Sequence, residues 1–398
     1  METQEGHGLN PLPPDTNGSP PASDEPALTD LRELCRLAVE RRASDIHLTE
    51  HSPPLLRIHG ELTPLKMAPL TREDTKRLVY RLLSDQQRAQ FEQELELDVS
   101  IAVPDVARFR VNVHLQRGSV EAAMRLVSSR IPSLQELGLP AVVAELTRKS
   151  NGLVLVTGPT GVGKTTTLAA MVDLINHERA QHIIVIEDPI EYLHCNARSV
   201  IKQREVHGDT KSFSSALVHA LRQDPNVIVV GEMRDLNTIS TTLTAAETGH
   251  LVLATLHMAD AAQTVDRIVD VFPSSRQSEV KIQLADCLQG VVSQQLLPRA
   301  DAPGRVPVYE VMVATPAIRN LIREHQTQQL HTVMLTGAAH GMITMDACLK
   351  QLYDRGIIAY ETAISHMKHP TEYALLADPP PDVKKKRPWS HTPAASDQ

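Results

Sequence analysis

The sequence predicts an α/β fold in two parts, a small mixed α/β module over residues 28–132 followed by a larger core over 133–369 built on a parallel sheet. Three observations predict it. Between residues 153 and 257 near-continuous Val, Ile and Leu runs alternate with helical stretches, the pattern of strands buried on both faces and linked by helical crossovers. Before residue 132 the apolar segments are short and alternating, and capped helical stretches separate them. Between the first long apolar run and the helix after it stands "GPTGVGKT", a glycine-rich phosphate loop in its proper setting.

Taken in order, "METQEGHGLNPLPPDTNGSPPASDEP" offers almost nothing to bury, and residues 1–27 are expected to be a disordered arm. "LTDLRELCRLAVERRAS" puts Leu31, Leu34, Leu37 and Ala38 on one helical face, with Thr29 or Asp30 as N-cap. "LLRIHGEL" alternates as a strand, "TREDTKRLVYRLLSDQQRAQFEQEL" reads as capped helices, and "DVSIAV", "ARFRVNVHLQ" and "VEAAMRLVSS" follow as strands. "SRIPSLQELGLP" is a linker. The core then runs "LVLVT", a helix from Lys164, "HIIVIE", a helix from Phe213, "NVIVVGE", the helix "LNTISTTLTAAE" and "HLVLATLH". This order is RecA-like. A helical region is expected over 274–369, then a second disordered tail over 370–398 that carries "KKKR".

Composition bounds the partners. The net charge of −8 and few aromatics, 3%, argue against a nucleic acid, which calls for basic excess and stacking surfaces. Cys35, Cys195, Cys287 and Cys348 show no C-x-x-C spacing. No basic-then-apolar leader is visible, and apolar runs fall short of the ~20 residues of a spanning helix. A cytoplasmic location is therefore expected, with any membrane association made through a partner.

The chemistry concentrates at strand ends. Gly158, Gly161 and Gly163 permit backbone conformations that turn consecutive amides toward phosphate oxygens, and the following helix adds its positive end. The nucleotide-binding residues are Gly158, Pro159, Thr160, Gly161, Val162, Gly163, Lys164, Thr165 and Thr166, for ATP with Mg²⁺. Lys164 reaches the β/γ-phosphates and Thr165 ligates Mg²⁺. Glu232, just past "NVIVV", is placed to hold the Mg²⁺ shell through water. In "IIVIEDPIEY", Glu187, Asp188 and Glu191 crowd another strand end, and Pro189 stops that strand. One of the three is the base for the attacking water, and spacing alone leaves the choice open. His250 and His257 flank "LVLATL" at odd separation, so they face opposite ways and suit no common metal site. For His257 two roles stay open, γ-phosphate sensor or satisfied structural histidine.

Together these stretches resemble the secretion-ATPase superfamily that drives type II secretion and type IV pili, and within it the PilT-type retraction ATPases. "GPTGVGKTT" resembles their Walker A motif, "IEDPIEY" their Asp box, "GEMRD" their Walker B motif and "TAAETGHLVLATLH" their His box. "ASDIHL", "RIHGEL" and "ARFRVN" resemble their PAS-like N-terminal domain, and "TPAIRNLIRE" a retraction-associated helix. The resemblance implies Glu191 as general base, Glu232 as Walker B acid, His250 and His257 as the His-box residues, and a homohexamer. Its sites are completed by N-terminal arginines matching Arg110 and Arg125, which residue reading alone takes for strand-surface charges. The implied activity is ATP hydrolysis coupled to pilus retraction and twitching motility, acting on an inner-membrane platform protein, beside a paralogous pilus ATPase in some systems. One departure stands out: relatives tend to read "FSEALRSALREDP" where this chain has "FSSALVHALRQDP", so Val218 and His219 replace an Arg and a Ser. That keeps a second reading open, an accessory nucleotide-binding subunit. A nucleic-acid translocase is the weaker third.

Overall fold

The computed structural model describes residues 30–58, 60–127 and 130–370. The arm expected over 1–27 and the tail expected beyond residue 370 lie outside them. Contacts divide the chain into two units, Met1–Leu126 and Val127–Gln398.

The first unit contains α1 (Leu31–Glu40), β1 (Asp45–Leu48), β2 (Leu55–Ile58), β3 (Glu61–Pro64), α2 (Arg72–Tyr80), α3 (Asp85–Glu94), β4 (Glu96–Val103), β5 (Ala107–Gln116) and β6 (Ser119–Val127). Asp30 caps α1 by accepting the Arg32 N–H, which settles the choice with Thr29. Thr71 with Asp74 and Ser84 with Gln87 form reciprocal capping boxes on α2 and α3. The six strands order as β3-β2-β1-β6-β5-β4. On β5, Phe109, Val111 and Val113 point into the core, so the two-residue period turns Arg110 out to solvent.

The second unit adds α4 (Ala141–Thr147), β7 (Gly152–Thr157), α5 (Lys164–Glu178), β8 (His182–Glu187), β9 (Val200–Glu205), α6 (Phe213–Ala220), β10 (Val227–Val230), α7 (Leu236–Glu247) and β11 (Leu251–Leu256). It continues through α8 (Ala261–Asp270), α9 (Ser274–Cys287), β12 (Leu288–Pro298), β13 (Arg305–Val313), α10 (Pro316–Arg323), α11 (Leu330–Thr336), α12 (Met345–Asp354) and α13 (Tyr360–His366). The sheet orders as β13-β12-β7-β11-β10-β8-β9 and is parallel throughout except for β13. Every residue of β7, β10 and β11 is buried, as the unbroken apolar runs require.

One expectation needs correction. The region from residue 274 is not helical throughout, because β12 and β13 form an antiparallel hairpin at the sheet edge, with nine Cα pairs from Gly290↔Val313 to Pro298↔Arg305. "GVVSQQLL" carries the β-branched, apolar run of a strand, and its packing on β7 decides the matter over local propensity. A segment for which no element is expected, "VIKQRE", also forms an edge strand, β9; only its first two residues are apolar, so it does not read as a buried strand. In α10, Ile318, Leu321 and Ile322 are buried on the predicted side. Arg319 of that helix donates to the carbonyls of Ala285, Asp286 (2.6 Å) and Ala314 (3.0 Å), and so closes the C-terminal end of α9.

Candidate nucleotide site

The carboxyl ends of β7, β11, β10 and β8 open on one edge of the sheet, where parallel α/β sheets hold their ligands. From β7 the chain enters the phosphate loop. Gly158 lies at φ +140°, and a Cβ there would stand 2.4 Å from the Gln294 carbonyl and 2.9 Å from Val162 Cγ2. The loop backbone thus runs against β12 at a distance only glycine permits. Gly163, at φ +94° and without a side-chain cap, starts α5 so that its first turn of amides faces the loop. Pro159, Thr160 and Gly161 are exposed, whereas Val162, Gly163, Thr165 and Thr166 are half-buried.

Lys164 is buried, and its ammonium donates to the carbonyls of Gly158 (2.8 Å) and Pro159 (2.9 Å). Burial pushes it below its ordinary pKa, while the charges of Glu232 and Glu191 work the other way. His257, one residue past β11, faces it at 3.3 Å through Nδ1 and meets Glu232 Oε1 at 2.7 Å through Nε2. The tautomer that satisfies both contacts carries its proton on Nε2. Glu232 also takes a 2.6 Å contact from Arg234 Nε. Burial works to raise the Glu232 carboxyl, but the hydrogen bonds and charges of Arg234 and His257 outweigh it and hold the group below the usual carboxylate range. The site therefore presents an anionic carboxylate two residues past one strand end, linked through an imidazole to the loop lysine. His250 sits at the far end of β11, 3.0 Å from the Ala245 carbonyl, and takes no part.

Of the three acids in "EDPIE", burial separates one. Glu187, the last residue of β8, is buried, and its carboxyl is pushed up to about 8. Desolvation is the main cause, with Glu191 and Glu205 adding repulsion against the hydrogen bond from Gln203. Asp188 and Glu191 are open to solvent. Glu191 is electrostatically felt by Lys164 and by Glu187, so it stands within the same constellation. Arg110 and Arg125 belong to the first unit, where Arg125 Nε donates to Asp45 Oδ1 at 2.9 Å with its side chain 71% exposed.

Four contributors escape a reading by motif. Arg234 lies inside "GEMRD" yet looks like an ordinary surface charge. Tyr192 bonds Thr166 of α5 through its hydroxyl at 3.0 Å. Ser293 and Gln294 of β12 hold Thr157 (2.9 Å) and Thr167 (2.9 Å) under the loop. Only the aromatic in "IEY" and the polar pair inside the apolar "VVSQQLL" hint at them in the sequence.

A family model described as type II/IV secretion system protein matches residues 21–352. The chain belongs to that family. It is a PilT-type ATPase, an enzyme that hydrolyses ATP. The type IV pilus "retractation" ATPase PilT of Pseudomonas aeruginosa is 46% identical over 344 residues, covering 86% of this chain and 100% of the relative. PilU, a type IV pilus ATPase of the same organism, is 40% identical over 347 residues, covering 87% of this chain and 91% of PilU. The crystal structure of the pilus retraction motor PilT with bound ADP matches this ATPase with a TM-score of 0.81 at 49% identity, covering 86% of this chain and 98% of that one.

Proposed function

We propose that this ATPase powers retraction of a type IV pilus as a ring of six identical copies. In this reading it works in the cytoplasm and reaches the inner membrane through a platform protein there. The observation that carries it is the match along the whole length of a retraction ATPase. A chain with no helix long and apolar enough to cross a membrane, among the described residues, fits a motor that meets the membrane through a partner.

In the proposed cycle the glycine loop and the first turn of α5 bind the phosphates of ATP, and Lys164 leaves its carbonyl partners for phosphate oxygens. Thr165 and Glu232 would hold Mg²⁺, Glu232 through water, and the anionic state of Glu232 suits a cation. When bound, that ion neutralises charge on the phosphates. Glu191 accepts the proton of the attacking water. His257 moves between Glu232 and the γ-phosphate, so its hydrogen bonds report whether the phosphate is present. Arg110 and Arg125 come from a neighbouring copy and complete the site. Closure is driven by tighter binding of ATP to the closed arrangement than to the open one. In the division proposed here, 28–132 forms the arginine-bearing module and 133–369 the ATPase domain.

A second reading is an accessory pilus ATPase that works beside a stronger motor. Val218 favours it, since this apolar side chain stands 42% exposed on α6 where relatives tend to carry a cation. Deleting the gene in its host and counting pili by electron microscopy separates the readings. Excess pili with lost twitching motility are expected for a retraction motor. Bald cells would overturn it in favour of assembly, and an unchanged count would favour the accessory role.

A further inference from the structure

The loop that carries Glu191 is held in place by the edge strand β9, and one side chain of that strand makes most of the bonds. Gln203 Nε2 donates to the Tyr192 carbonyl at 2.7 Å and to Glu187 Oε2 at 3.2 Å, and Gln203 Oε1 accepts the His194 N–H at 2.9 Å. Both donors and the acceptor of the amide are thereby engaged. Glu205, two residues on, accepts the Ile190 N–H at 3.1 Å. Tyr192 then reaches α5 through its hydroxyl contact with Thr166. The backbone is thus tied at residue 190, at 192 and at 194, on either side of Glu191, with the phosphate-loop helix at the far end of the network.

We infer that Gln203 is a positioning residue for hydrolysis: it sets the Asp-box loop so that the Glu191 carboxylate is aimed at the water beside the terminal phosphate. The inference rests on the role proposed above for Glu191. The physical reason is local. Residues 188–194 bridge from β8 toward β9 with no regular structure over most of their length, so their backbone groups have no strand ladder to hold them. Side chains of β9 take the place of that ladder. Strands β8 and β9 are parallel and in register, Val185↔Gln203 and Glu187↔Glu205, so β9 presents Gln203 and Glu205 on one face, two residues apart. The bonds of Gln203 itself go to Glu187, Tyr192 and His194 and to none of residues 158–166, so removing Gln203 displaces the base without dismantling the phosphate cradle.

The test compares Gln203→Leu, Glu191→Gln and the double variant in the full-length enzyme, with kcat, KM and ATP affinity measured for each. For Gln203→Leu, kcat falls roughly tenfold to a hundredfold while ATP affinity stays within about twofold, the signature of a misplaced reacting group. In the Glu191→Gln background the same substitution costs nothing further, because Gln203 acts through that carboxylate. Gln203→Glu, which keeps the shape and the acceptor but loses the donors, gives the same kcat-only loss and carries the test if the leucine variant does not fold. Wild-type kcat in Gln203→Leu or Gln203→Glu, or an equal loss on the Glu191→Gln background, overturns the inference while leaving the role of Glu191 intact. Glu191→Gln itself turning over at the wild-type rate, rather than at a low residual rate, overturns both.

Discussion

Glu187 and Glu191 lie four positions apart in one motif, yet burial gives them different chemistry. A spacing argument sees three equivalent acids, and only the depth of each below the surface separates them. Glu187, raised to about 8 from its ordinary 4.5, is protonated at neutral pH in the folded chain and ionised in the unfolded one. In the window between those two values the folded state binds the extra proton, so stability falls as pH rises through it and levels off above the folded value. Glu187→Gln has no such proton to lose. Its melting temperature relative to wild type is expected to climb as pH goes from 4.5 to about 8, read by thermal denaturation across pH; a constant difference would refute the buried neutral carboxyl. His257 was equally open in the sequence between sensor and structural residue. The fold places it between Lys164 and Glu232, a position that three separated motifs reach only when β7, β10 and β11 lie side by side.

At the scale of elements, the phosphate loop and the β12 strand beneath it depend on each other. Gly158→Ala would push a methyl group against the Gln294 carbonyl in a backbone conformation that L-residues rarely adopt. Because the obstacle is backbone, relief requires moving β12 or the loop. The expected cost is about 1–3 kcal/mol of stability together with loss of ATP binding, measured by chemical denaturation and nucleotide titration. An alanine variant with wild-type affinity and stability would contradict the close packing. The loop was legible from eight letters because its chemistry is local: glycine conformations, a lysine and a helix start. The strand that supports it was not. The β12–β13 hairpin pairs with β7 from more than a hundred residues away in sequence, and no local pattern announces which sheet edge it joins. The same holds for β9, whose four consecutive polar residues from Lys202 to Glu205 read as surface until β8 is beside it.

For the whole molecule, the proposed ring makes a prediction that a single chain does not. If Arg125 completes a neighbour's site, Lys164→Ala copies and Arg125→Ala copies are each inactive alone. Reassembled together, they contain some sites with both residues intact. Partial recovery of ATPase activity in the mixture, beyond the sum of the two, is the expected result; no recovery would place the arginine within its own chain or outside the reaction.

By itself the sequence determined the order and type of the elements from β7 to β11 other than β9, the phosphate loop with its lysine, the acidic strand ends and the likeness to secretion ATPases. Those features rest on short-range chemistry: hydrophobic period, capping, glycine conformations and motif spacing. Only the tertiary structure decided which acid is buried and neutral, which histidine meets the lysine, that the region after residue 274 contains a hairpin, and that β9 holds the loop of Glu191. Each of these depends on burial or on pairing between distant segments, and neither quantity exists until the chain has folded.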